Sequence, residues 1–133
     1  MLSNEEIALV QNSWKAVDDP DLVAGVFYDI LFSLNPQVRE LFPDKMDEQK
    51  KKLMDTIGLA VSSLTKLESL VPVLHKLGER HIDYKVTADQ YDLVGEALLL
   101  TLEKVFADAF TDELRDAWAE TYGILASTMK EVY

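Results

Sequence analysis

One histidine stands out by the company it keeps. Leu70, Leu74, Leu77 and His81 recur at helical spacing, so His81 lies on a face that is otherwise leucine. The stretch reads as a short helix entered near Pro72 and ending near Lys85. An imidazole so placed must either satisfy a buried hydrogen bond or bind something. The other histidine, His75, sits six residues earlier, roughly 240° round the helix, so one metal ion cannot easily use both. Its neighbours Lys76 and Glu79 point to a wetter face.

Other chemistries find little support. There is no cysteine, hence no disulfide, thiolate metal site or cysteine nucleophile. H-E-x-x-H, P-loop, G-x-G-x-x-G and G-x-S-x-G patterns are absent. Asp19, Asp21, Asp44 and Asp47 lack calcium-loop spacing, and no carboxylate pair stands out for acid–base work. One use of a lone histidine on an apolar face is ligation of haem iron: one ring nitrogen binds the metal, and a carbonyl or side chain holds the other N–H. The porphyrin supplies four further ligands, so missing cysteines are no objection.

A net charge of −11 argues against nucleic acid and anionic membrane surfaces as partners, because both require a basic footprint. At 133 residues and 48% hydrophobic content, the chain reads as one folded domain, residues 1–133. No run approaches the apolar length of a membrane span, and no signal-like segment opens the chain, so the cytoplasm is the expected compartment.

The elements that must position His81 all read as helices. Ser3 and Glu6 form a capping box ahead of Ile7, Val10, Trp14 and Val17. Asp19-Pro20 opens a second helix carrying Val23, Val26, Phe27, Ile30, Leu31 and Leu34, with Tyr28 among them. Asn35-Pro36 starts a short helix ending near Leu41-Phe42-Pro43. After a polar loop at 43–47, a long helix carries Gln49, Leu53, Ile57, Ala60, Val61 and Leu64, leaving Lys50, Lys51, Lys52 and Asp55 largely on its wet side. Thr87 and Gln90 form a second capping box for a helix through about Asp108. Thr111 caps the last helix, which bears Leu114, Trp118, Tyr122, Leu125 and Met129. The expectation is all-α, with about six substantial helices and short connections.

Six stretches in order then resemble a bacterial single-domain globin of the flavohaemoglobin-related branch. They are Val26-Phe-Tyr-Asp-Ile-Leu-Phe-Ser-Leu-Asn-Pro36, Glu40-Leu-Phe42, Gln49-x-x-x-Leu53, Leu77-Gly-Glu-Arg-His81, Tyr91-Asp-Leu-Val-Gly-Glu96 and Trp118-x-x-x-Tyr122-Gly. The resemblance runs from about Ser3 to the last residue. It implies a three-over-three helical sandwich around one haem b, with His81 as the proximal iron ligand and Phe42 packed on the haem face. Tyr28, Gln49 and Leu53 match the distal trio of this branch; Leu77, Val86, Tyr91, Val94 and Tyr122 fall at pocket positions. Arg80 is either a haem propionate contact or a solvated helix charge.

The resemblance further implies reversible high-affinity O2 binding, with NO and CO as other ligands. The alternative it carries is nitric oxide dioxygenation with electrons from a separate reductase, since the chain has no room for a flavin domain. Flavohaemoglobins place a glutamate late in the last helix that, with a tyrosine like Tyr91, engages the proximal histidine. Here that position is Tyr133, and Glu131 would face elsewhere. A sensor's output domain is missing, and a haem-free interaction domain is the remaining reading.

Overall fold

The structure, a computed structural model, describes residues 2–133. Six α-helices account for most of it: α1 (Asn4–Lys15), α2 (Pro20–Leu34), α3 (Asp47–Ser62), α4 (Leu67–Asp83), α5 (Gln90–Phe106) and α6 (Asp112–Lys130). Short 3-10 segments occupy Pro36–Leu41, Leu64–Lys66 and Ala107–Ala109. No strand occurs among the described residues, and no single helix among them is long and apolar enough to cross a membrane.

Side-chain caps mark the start of three of the six α-helices. The Ser3–Glu6 box is complete, with Glu6 N donating to Ser3 Oγ (3.1 Å) and Ser3 N to Glu6 Oε1 (3.0 Å). Asp19 and Thr111 accept from Leu22 N and Leu114 N at the starts of α2 and α6. Of the predicted Thr87–Gln90 box only half forms, Thr87 N donating to Gln90 Oε1 at 3.0 Å; α5 runs from Gln90 and stops at Phe106, short of Asp108. Leu64 belongs to a 3-10 turn rather than to α3.

The largest departure from the sequence expectation concerns α4. It starts at Leu67, and Pro72 lies inside it rather than at its entrance. A proline there removes the bond to the carbonyl of residue 68. Both Glu68 and Pro72 are exposed, so water can take the freed carbonyl and the helix continues. Together with the preceding turn, α4 leaves α3 at a bend of 59°.

Layer packing follows from the apolar faces. α1, α3 and α4 lie over α2, α5 and α6, with α2 against α3 and α5, and α6 against α1, α4 and α5. Val10, Ala97, Leu102, Ala117 and Trp118 are fully or almost fully buried. Buried polar groups are satisfied locally: Thr101 and Thr121 donate to Ala97 O and Ala117 O one turn back (2.7 and 2.8 Å). Trp118 Nε1 donates to Ser13 Oγ (2.9 Å) and Gln11 Nε2 to Val61 O (3.0 Å), fixing α1 to its neighbours. Two glycines allow the closest approaches. A Cβ at Gly78 would collide with the Met129 carbonyl of α6, and one at Gly95 would come within 2.7 Å of the Tyr122 ring.

Candidate functional site

Between the two layers lies a cavity of about 410 Å³. Tyr28 of α2, Phe42 after the first 3-10 segment, and Gln49 and Leu53 of α3 contribute to its wall. From the other elements come Leu77 and His81 of α4, Val86 of the following loop, Tyr91 and Val94 of α5, and Tyr122 of α6. All ten residues singled out in the sequence therefore meet at one space. Arg80 and Lys52 also reach it; both are exposed, so Lys52 is wet and yet at the cavity.

The end of α4 fixes His81. Lys85 has φ 68°, and the amides of Lys85 and Val86 turn back to the Ile82 and His81 carbonyls (2.9 Å each), closing a Schellman turn. That turn brings Val86 to the cavity directly after the helix. His81 Nδ1 lies 2.7 Å from Leu77 O. Because a carbonyl only accepts, Nδ1 carries the hydrogen and the Nε2 lone pair is free. Burial lowers the His81 pKa, and the Leu77 carbonyl opposes that shift. The imidazole is thus held neutral and ready to donate a lone pair.

Across the cavity, Tyr28 is 4% exposed. Its ring is packed edge-on to Phe27 (5.0 Å) and Phe42 (5.4 Å) and stacked on Phe32 (5.8 Å). Burial raises its pKa, and a hydrogen bond with the Gln49 side chain works against the shift. Phe42 owes its position to Arg39, a residue the sequence reading passed over. The Arg39 guanidinium donates to the carbonyls of Phe42 (3.2 Å), Pro43 (2.9 Å) and Asp44 (3.2 Å) and lies 5.3 Å from the Phe32 ring centroid. Nothing in a lone arginine on a short 3-10 segment signals this.

On the His81 side, tyrosines take the place of acids. The Tyr91 ring is 5.9 Å from the imidazole, and Tyr122 Oη donates to the Tyr91 carbonyl at 2.6 Å. The Tyr91 hydroxyl is buried, and its hydrogen bond, to the Tyr133 side chain, is a loose one. Its neighbour Tyr133 gives its own proton to Val86 O (2.8 Å). Burial first, then the Tyr133 and Tyr122 phenols, push the Tyr91 pKa up; burial and then Asp92 do the same for Tyr122. Glu131 points away and meets His75 Nε2 at 2.8 Å, as its offset from Tyr133 implied.

Several further wall residues were within reach of sequence reasoning. Leu125 and Met129 extend the Tyr122 stripe of α6, Trp118 precedes it by one turn, and Leu98 follows Val94 by one turn. Thr121 lies on the same stripe, seven residues after Leu114 and four before Leu125, and its polar side chain masked the pattern.

No cluster of three or more histidines, aspartates or glutamates able to hold a bare metal ion occurs among the described residues. One free imidazole nitrogen in an apolar slot suits instead a metal that brings its own equatorial ligands. The arrangement therefore fits haem.

Comparison with known proteins agrees. The Globin family model matches residues 25–129. A flavohemoprotein of Oceanobacillus iheyensis is 32% identical over 114 residues, covering 80% of this chain and 28% of its own length. The chain spans no more than a third of the curated relatives it matches first. A bacterial globin from Campylobacter jejuni superposes with a TM-score of 0.87 at 22% identity, covering 98% of this chain and 95% of its own. An engineered carbene transferase built on a candidate nitric oxide dioxygenase from Rhodothermus marinus gives a TM-score of 0.87 at 25% identity, covering 99% and 94%. The fold is the three-over-three globin sandwich, and the chain belongs to the globin family, as a haem-binding bacterial globin of the flavohaemoglobin-related branch.

Proposed function

We propose that this protein binds O2 reversibly, with His81 as the iron ligand and Tyr28 and Gln49 as the groups that hold the gas. Bound haem b would supply an iron able to take both an imidazole and a diatomic gas. The observation that carries the reading is His81: it is the one histidine at the cavity, its Nδ1 is committed to Leu77 O, and its Nε2 is free. Phe42, Leu77, Val86, Val94 and Tyr122 line the cavity and would pack against the group.

The Tyr28 phenol, at the same cavity, would donate to a gas atom that carries negative charge. Such a bond contributes roughly 1.5–3 kcal/mol, a tenfold to hundredfold gain in affinity expressed mainly as slower release. Gln49 holds the phenol in place from its other side. Leu53 keeps water from the ligand and so protects the ferrous state. CO and NO fit the same space. His81→Ala is expected to abolish stable haem binding, read as the haem-to-protein ratio after reconstitution and gel filtration. A stoichiometric complex in that variant would refute the assignment.

A second reading, nitric oxide dioxygenation with a separate reductase, is supported by the flavohemoprotein relatives and by the candidate dioxygenase among the structural neighbours. The His81 surroundings favour the carrier. Its N–H goes to a neutral carbonyl, and the residue packed on Tyr91 from the end of the chain is Tyr133 rather than an acid. A neutral setting makes His81 a weaker electron donor to iron and lends less to O–O bond chemistry.

A further inference from the structure

Residues 42–46, between the first 3-10 segment and α3, have no regular backbone. They nevertheless carry Phe42 at one end and lead to Gln49 at the other, both at the cavity wall. No main-chain amide among the described residues reaches the carbonyls of Phe42, Pro43 or Asp44. Arg39 takes all three, through Nη1 to Phe42 O (3.2 Å) and Pro43 O (2.9 Å) and through Nη2 to Asp44 O (3.2 Å). The planar fork of a guanidinium allows this, where a lysine ammonium is a single point of charge. The Phe42 amide donates in turn to the Arg39 carbonyl (3.2 Å). Because α3 opens without a side-chain cap, this strap anchors the approach to it.

The same guanidinium rests on the Phe32 ring, 5.3 Å from its centroid. Phe32 and Phe42 meet edge-on at 5.6 Å, and Tyr28 packs on both, at 5.8 and 5.4 Å. One side chain therefore holds two rings that flank Tyr28 and the chain leading to Gln49, the partner of its hydroxyl. A hydrogen bond weakens steeply once its donor is misaimed, so these rings govern what the phenol can do. Arg39 has no carboxylate partner among the described residues, and it does not itself line the cavity.

We infer that Arg39 is a positioning residue for gas binding, setting the rate at which O2 leaves by holding the Tyr28 phenol on aim. The inference rests on the reading of Tyr28 given above. Arg39 touches neither cavity nor gas, so its effect must pass through Phe32, Phe42 and Gln49 to Tyr28.

The test is a double-mutant cycle on the haem-loaded protein, comparing the unaltered chain with Arg39→Gln, Tyr28→Phe and the pair together. O2 release is followed by stopped-flow displacement with CO. Arg39→Gln should quicken it by about threefold to tenfold, less than loss of the phenol, and should add nothing in the Tyr28→Phe background. The C–O stretch of bound CO should broaden and move toward its position in Tyr28→Phe. Arg39→Lys should recover only part of the unaltered rate, and it carries the measurement if Arg39→Gln takes up no haem. Without haem, amide exchange should quicken over residues 42–50 in Arg39→Gln and stay unchanged over 77–86. An unchanged release rate in both Arg39 variants would overturn the inference, as would equal quickening with and without the phenol. An unchanged rate in Tyr28→Phe would overturn the reading of Tyr28 and this one together. A quickened Tyr28→Phe beside unaffected Arg39 variants overturns this one alone.

Discussion

Tyr28 shows how one side chain serves packing and chemistry at once. Its ring belongs to the Phe27–Phe32–Phe42 cluster, while its hydroxyl meets Gln49 at the cavity wall. Tyr28→Phe removes the donor and keeps the ring, so the fold should stand and the gas should leave faster. We expect O2 dissociation, followed by stopped-flow displacement with CO, to quicken by about tenfold to a hundredfold, the equivalent of one hydrogen bond to a charged acceptor. An unchanged rate would remove Tyr28 from the ligand site. His81 and Tyr28 were legible because each is a polar side chain on an otherwise apolar helical stripe. The reach of Arg39 to three successive carbonyls was not, since it depends on how the chain turns after the 3-10 segment.

At the scale of elements, the sequence showed the helices and misplaced some of their ends. Pro72 signalled an entrance because proline usually suits a first turn. The solvent beside the Glu68 carbonyl made an interior position tolerable, and local spacing carries no record of that. The exit from α4 is the more consequential end, for it places Val86 after His81. Lys85 holds a left-handed conformation there without being glycine. Relief of that strain, set against the greater freedom glycine gives the unfolded chain, should leave Lys85→Gly about 0.5–1 kcal/mol more stable. Urea unfolding monitored by circular dichroism would read this as a higher midpoint with an unchanged slope. A lower midpoint would mean that the Lys85 side chain contributes something the turn alone does not.

For the molecule as a whole, three of the four tyrosines at the cavity, Tyr28, Tyr91 and Tyr122, make a common prediction. Burial is the leading cause of a raised pKa at each, so the folded protein keeps protons that the unfolded chain gives up. Stability is then unaffected below the ordinary tyrosine value of about 10 and is lost as pH rises through and beyond it. Phenolate absorbance should show these three ionising only with alkaline unfolding. Three phenols titrating early in a folded protein would contradict the burial. The all-α class and the ten cavity residues could be read from periodicity and resemblance, because a globin's pocket is built from helical faces that the sequence displays. The preference for a carrier over an enzyme also began in the sequence, with Tyr133 standing where the resemblance places a glutamate. The direct measurement is steady-state NO consumption by the oxygenated ferrous protein with a generic reductase and excess electron donor. Consumption should stop after one equivalent of bound O2, whereas sustained turnover would contradict the carrier and establish the dioxygenase.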